Sequence, residues 1–448
     1  MKKFLNFPTR GILQRVVSNP TFSQILIVMC IYFGLDGGVS LYALDTWEAK
    51  VVGEQTLQGR SVLRYEHEAL KAWGYPGGER KYFSVILPEQ PEKKAPLVVY
   101  LHSAGGQKEV QVPLAVAFAV EGGTDFYGLA LNCGETEWWW GYHMIHDRIG
   151  EFASKLTPTE QRVMATVEWV VQKYDIDRNR IYLTGHSMGG TGSLGIGLCH
   201  GDVFASIQVG VPAGAAHVLQ RMHFPEIPED LACATLTPEE KLEYLRRVSA
   251  VGLPDPPPVF NFSSHTDYYA KGQELLLRYV QQGKLFMVFN WGPYGHAVPD
   301  GTNTNPAAFE FPWMTIRKDE AYPAFTHAST DNHYPGLQGK GPDQEGQMNA
   351  FFRWKTVSDT PDELILELWL VRADELKQTT AIPAESIVDI TPRRLQKFEI
   401  KDGKSYPWQL EREGKVIQSG TVQPDSVGLL TIPQVKVAGE PARLRIRG

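Results

Sequence analysis

The sequence predicts an α/β protein with a mainly parallel, doubly wound sheet, followed by an all-β C-terminal module. Three observations carry this. Between residues 96 and 300, short apolar runs such as Leu97–Leu101 and residues 180–184 alternate with stretches of helical spacing such as residues 157–174, and strands joined by helical crossovers lie parallel. From about Gln347 the helical spacing stops, and short strands follow one another between Gly, Pro and Asp turns. Within the first region an apolar strand runs into Gly185-His186-Ser187-Met188-Gly189 and then into small residues that can open a helix.

The apolar content of 43% and charged content of 21% allow a packed core, and 448 residues suit two or three domains of roughly 100–200 residues each. A formal charge of -7, with no long Lys/Arg run, argues against nucleic acid as a partner. Aromatic residues, 11% of the chain, serve mainly as core and in part as platforms for sugars or flat ligands.

Residues 1–43 read as a signal peptide or N-terminal anchor. Lys2, Lys3, Arg10 and Arg15 precede an apolar run at residues 22–35, and small residues up to Ala43 follow. That run is shorter than the ~20 residues a membrane-spanning helix needs, so cleavage after about Ala43 is the expectation and an uncleaved anchor the alternative. Met29 stands before Cys30 where a lipidation site wants a small residue, which excludes that reading. The chain is expected to be secreted or periplasmic, touching a membrane only through an uncleaved N-terminal segment. Cleavage leaves Cys133, Cys199 and Cys233, an odd number, with a Cys199–Cys233 disulfide as one pairing.

Residues 44–305 form the expected α/β domain. It begins with alternating strands at residues 46–88 and continues through strands at Tyr127–Leu131 and at residues 258–262 and 285–289. An insertion at about 212–258 holds a helix at 238–248, with Thr237 as N-cap and Glu239 and Glu240 in its first turn. Residues 306–346 read as a linker. Residues 347–448 read as a β-sandwich accessory domain, with strands at 365–371, 398–400, 408–412, 416–419, 429–432 and 443–446.

The chemistry concentrates at Ser187. A serine on a tight strand-to-helix turn takes a strained backbone conformation, which the neighbouring glycines permit, and its hydroxyl projects over the sheet edge. A hydroxyl is a weak nucleophile, so an imidazole must take its proton and a carboxylate must orient that imidazole. Asp267 follows the strand at 258–262 and His296 follows the strand at 285–289, so the order Ser187, Asp267, His296 places all three beyond the carboxyl ends of strands. His265, two residues from Asp267, is the rival base and more naturally flanks the site. Oxyanion donors are expected from the amide of Met188 and from the loop Leu101-His102-Ser103-Ala104-Gly105-Gly106, through Ala104 or Ser103. Trp138, Trp139 and Trp140, in the loop after Tyr127–Leu131, and His186 are candidates for substrate binding. His143 and His146 in that loop are a lone pair, and no repeated Cys-x-x-Cys or His-Glu-x-x-His spacing appears, so no metal is expected.

With these residues in view the chain resembles the α/β-hydrolase superfamily. Within it, the chain looks like the secreted esterases related to polyhydroxyalkanoate depolymerases, feruloyl esterases and acetylxylan esterases. The resemblance spans residues 82–300 and rests on residues 101–106, residues 175–182 leading into Gly185-His186-Ser187-Met188-Gly189-Gly190, and Gly295-His296. It implies Ser187, Asp267 and His296 as nucleophile, acid and base of a cofactor-free ester hydrolase acting on a polysaccharide-linked or polyester substrate. Such enzymes usually carry His-Gly where this chain has His102-Ser103, and often Gly where it has Ser264. Two alternatives stand beside it. One is a prolyl-oligopeptidase-like serine peptidase, which the short segment before Pro96 disfavours because it cannot build a propeller. The other is a non-catalytic glycan-binding protein.

Overall fold

The computed structural model describes residues 47–90, 94–105, 115, 125–134, 137–140, 157–215, 218, 255–297, 303–335 and 345–448. The expectations for residues 1–43, the helix at 238–248, His143, His146 and Cys233 lie outside these residues. The chain divides into a unit Met1–Trp47 and a compact unit Glu48–Gly448, and the second is described below.

Strands β1 (Lys50–Leu57), β2 (Arg60–Glu68) and β3 (Arg80–Ile86) enter antiparallel. They are followed by β4 (Leu97–Leu101), β5 (Tyr127–Leu131), β6 (Ile181–His186), β7 (Ser206–Gly210), β8 (Val259–Ser264) and β9 (Met287–Gly292). With β11 (Gly346–Met348) these make a ten-stranded sheet in the order β1-β2-β3-β5-β4-β6-β7-β8-β9-β11, parallel from β5 through β9. β5, β8 and β9 are buried along their whole length, as expected of parallel strands covered on both faces, and their sequences are mainly apolar with a few buried polar residues such as Asn261 and Asn290. This is the mainly parallel, doubly wound sheet that the sequence predicts. It brings the loops after β4, β6, β8 and β9 to one edge.

Helix α1 (Pro158–Lys173) starts where its sequence says it should. The Thr157 hydroxyl accepts from the Glu160 amide, Pro158 occupies the first turn, and Glu160 adds a favourable negative charge there. Helices α2 (Met188–Gly197), α3 (Ala270–Gln282) and α4 (Pro306–Phe309) follow β6, β8 and β9 in turn. Among the described residues no helix is long and apolar enough to cross a membrane.

The remaining strands build two antiparallel sheets. β10 (Tyr322–Thr326), β14 (Glu385–Arg393) and β17 (Ile432–Ala438) form one in the order β10-β14-β17. β12 (Phe352–Asp359), β13 (Glu363–Leu370), β15 (Tyr406–Arg412), β16 (Lys415–Val422) and β18 (Ala442–Arg447) form the other in the order β12-β13-β18-β15-β16. Of residues 306–346, expected to be a linker, the described residues 306–335 are a packed part of the fold. They contain α4 and the edge strand β10, and Trp313, Tyr322 and Phe325 belong to one apolar cluster that runs from Val98, Tyr182 and Phe260 of the large sheet to Leu366, Ile390 and Leu444 of the small ones. Prolines are accommodated in this sheet: Pro323 sits on an edge strand opposite Pro392, and Pro392 lies past the last residue that β14 pairs with β17. Residues 398–400, expected to be a strand, are not one, and the Phe398 amide donates to the Asp359 carboxylate instead.

A polar knot fastens the large sheet to β10. The Asn349 side-chain amide donates to the Met287 carbonyl at 3.0 Å and to the Phe325 carbonyl at 3.1 Å, while its backbone amide donates to Asp331 Oδ1 at 2.8 Å. Burial pushes the Asp331 carboxyl up to about 7, and the Asn349 N–H only partly opposes this. With its folded pKa raised, Asp331 gives full stability below its unfolded value of 3.8, and that stability is lost as the pH rises through about 7. Asp331→Asn is therefore expected to raise the thermal midpoint at pH 8 while leaving it nearly unchanged at pH 4, the gain being on the order of a few kcal/mol.

Candidate active site

Ser187 ends β6 with φ 57° and ψ -119°, a conformation a non-glycine residue takes only when its surroundings impose it. Its amide donates to the Gly210 carbonyl at 2.9 Å, and its carbonyl accepts from Ala213 N at 3.1 Å and Thr191 N at 3.0 Å, so β7 and α2 grip the turn from both sides. The glycines permit the crossing. A Cβ on Gly189 would lie 1.9 Å from the Leu101 carbonyl oxygen at the end of β4, and one on Gly185 would lie 2.3 Å from the Gly189 carbonyl oxygen.

The three side chains expected to act together stand in one hydrogen-bonded line. Ser187 Oγ is 2.7 Å from His296 Nε2, and His296 Nδ1 is 2.9 Å from Asp267 Oδ2. The Asp267 side chain is fully buried, whereas the His296 ring keeps 22% of its exposure, so the imidazole faces both the carboxylate and the solvent side. Two further donors hold the acid: Tyr269 N to Oδ1 at 3.0 Å and Gln273 Nε2 to Oδ2 at 3.1 Å. The Thr266 hydroxyl accepts from Gly295 N at 3.0 Å, tying the loop of the acid to the loop of the base.

Sequence reasoning missed Gln273. On an amphipathic helix, between Lys271 and Glu274, it reads as a solvent-facing residue, yet it is fully buried and its Oε1 accepts from Ser264 N at 3.3 Å. Gln273→Leu is expected to lower kcat for ester hydrolysis about tenfold or more with KM little changed, since a hydrogen bond to a charged group contributes ~1.5–3 kcal/mol. Steady-state kinetics with a chromogenic ester checks it.

Of the other expected site residues, some meet the line and some do not. Met188 heads α2 directly after Ser187, and its amide has no acceptor within the helix. Ser103 and Ala104 follow β4, and the Ser103 hydroxyl donates to the His186 carbonyl at 2.9 Å, fixing this loop against the turn that carries Ser187. The half-buried His186 ring stands 5.7 Å from the His296 ring, and burial followed by the His296 charge lowers its pKa to about 4, so it stays neutral beside the base. His265 is buried and makes no hydrogen bond to Ser187 or Asp267.

The tryptophans correct an expectation. Trp139 and Trp140 are fully buried, Trp139 against Gly192 and Trp140 against Gly195 of α2, so they pack beneath the site rather than line it. Trp138 is half-buried. Trp138 and Trp139 both hold positive φ, 44° and 63°, a strained turn for bulky residues. The turn serves His102, whose carbonyl accepts from Trp139 Nε1 at 2.9 Å and whose ring meets the indole edge-on at 4.7 Å. The His102 ring is buried, which lowers its pKa. Its Nδ1 donates to the Ser103 carbonyl at 2.8 Å and its Nε2 accepts from Cys133 N at 3.0 Å, an arrangement that suits the neutral ring.

No family model matches the chain, and no curated protein matches it. Among solved structures, it is similar to a fluorophosphonate-binding serine hydrolase of Staphylococcus aureus at 15% identity and TM-score 0.38, over 53% of this chain and 92% of the other. It is similar to an S-formylglutathione hydrolase of Agrobacterium tumefaciens at 15% identity and TM-score 0.40, over 55% and 92% of the two chains. It is also similar to a ferulic acid esterase at 17% identity and TM-score 0.35, over 53% and 92%.

Proposed function

We propose that the chain is a serine hydrolase that cleaves carboxylic esters through an acyl-enzyme. The observation that carries this reading is the unbroken line from Ser187 Oγ through His296 to the buried Asp267 carboxylate, set on a strained turn at the carboxyl edge of the sheet. A hydroxyl 2.7 Å from an imidazole nitrogen can lose its proton to that nitrogen as it attacks a carbonyl carbon. Asp267 holds Nδ1 protonated, keeps Nε2 free to accept, and stabilises the imidazolium that forms. The oxyanion lies between the amide of Met188 and an amide of Ala104 or Ser103, a pair of donors on adjacent elements. His296 then passes its proton to the alcohol oxygen, which departs, and the cycle repeats with water to release the acid. Each step uses the chain's own groups and water.

The apolar segment at residues 22–35 and the C-terminal sheets, read as a sandwich-like accessory module, favour an exported enzyme acting on esters carried by a polysaccharide or polyester. A burst of p-nitrophenol from p-nitrophenyl acetate, equal in amount to the enzyme, is the expected result. A panel of feruloyl, acetyl-xylan, methyl-glucuronoyl and peptide substrates then ranks the acyl and alcohol groups. Cleavage of peptides in preference to every ester contradicts the reading.

A further inference from the structure

Next to His296 stands a largely exposed aromatic ring. Tyr268 is 74% exposed, the highest exposure of any large hydrophobic side chain among the described residues. It is nevertheless held in place. Its ring centroid lies 4.4 Å from that of Tyr269 and 5.2 Å from that of His296, and Tyr269 is anchored by its own amide to Asp267 Oδ1. An aromatic face fixed beside His296 and left open to water is a platform for another ring, since a flat partner covers apolar area at little further cost in rotamer entropy.

The reaction says which half of the ester meets it. The carbonyl oxygen must point at the amide of Met188 and at the loop after β4. The oxygen of the departing alcohol must come within hydrogen-bond reach of His296 Nε2 to receive its proton. Tyr268 borders His296, the group that hands the proton to the leaving alcohol. Resting on the ester-hydrolase reading, we propose that Tyr268 is a specificity-determining residue that stacks a ring carried by the alcohol half of the ester, so the enzyme favours esters of cyclic alcohols, sugar rings or phenols, over those of open-chain alcohols.

The test holds the acid constant as acetate and varies the alcohol: ethanol, cyclohexanol, phenol and a methyl xyloside. The ratio of variant to wild type is taken for each, so intrinsic leaving-group reactivity cancels. Tyr268→Ala is expected to lower kcat/KM for the cyclohexyl, phenyl and xylosyl acetates by roughly 2- to 10-fold, mainly through KM, the range set by one aromatic stacking contact. Ethyl acetate is expected to change less than this, and Tyr268→Phe, which keeps the ring, to behave as wild type on all four. An equal loss on every ester, or no loss on the ring-bearing ones, overturns the proposal. Labelling of Ser187 by a fluorophosphonate, run on wild type and Tyr268→Ala, separates the two failures. Labelling at equal rates with no ring-selective loss defeats the platform alone, whereas no labelling of wild type defeats the hydrolase reading and the platform with it.

Discussion

Ser187→Ala lowers kcat for ester hydrolysis by roughly a millionfold, to the level that binding and the oxyanion donors sustain alone. The size follows from what one atom does. Ser187 Oγ is both the attacking atom and the proton donor at the 2.7 Å contact with His296, so the methyl group of alanine removes both roles together. Substrate binding is expected to survive, because the amides at Met188 and after β4 and the face of Tyr268 are untouched. His296→Ala is expected to cost nearly as much, and the double variant no more than either single one, since the two residues act as a unit. Single-turnover kinetics on the three proteins checks this. Additive losses contradict a shared role.

Arg162→Met destabilises the fold by about 3–5 kcal/mol, the cost of leaving a buried charge without its partner. Arg162 is fully buried on α1. Its Nε–H donates to the Tyr75 hydroxyl at 3.1 Å and its Nη2 to the Asn132 carbonyl at 2.9 Å, with Glu137 Oε2 3.5 Å away. Glu137 also accepts from Tyr75, from Lys81 Nζ at 3.1 Å and from Gly134 N at 2.9 Å. Burial alone would raise the Glu137 pKa, but Arg162 and Lys81 more than reverse this and hold it at about 2. With the folded pKa depressed, the stability Glu137 contributes is complete above its unfolded value of 4.5 and is lost as the pH falls through about 2. The variant should therefore show a weaker pH dependence across that window as well as a lower denaturation midpoint at pH 7. The consequence reaches the site, because this network holds Asn132, Gly134 and Glu137, and the nearby Trp139 donates to the His102 carbonyl just after β4. A fall in kcat larger than the unfolded fraction explains is expected alongside the lost stability.

The strained turn at Ser187 was legible because its signal is local: an apolar strand, a glycine-flanked serine and a run of small residues in direct succession. The meeting of Asp267 and His296 with Ser187 was legible because chain order and strand ends constrain them in an open parallel sheet. The tryptophans misled because composition places rings in a loop without showing that Gly192 and Gly195 hollow α2 to receive them. Gln273 and Tyr268 gave no signal, since a glutamine on a polar-looking helix face and a tyrosine in a turn are ordinary in sequence and acquire a role only from what stands opposite. The segment at 306–346 reads as a linker, whereas the packing of its strand β10 depends on strands far along the chain, β10 pairing with β14 and β14 with β17.

The account depends most on the Ser187 hydroxyl being made reactive by His296. Treating the protein with a fluorophosphonate and mapping the adduct by peptide mass tests this directly. The prediction is one adduct on Ser187 in the wild type, none in Ser187→Ala, and sharply slowed labelling in His296→Ala. An unmodified wild type, or Ser187→Ala labelled at the wild-type rate, contradicts it.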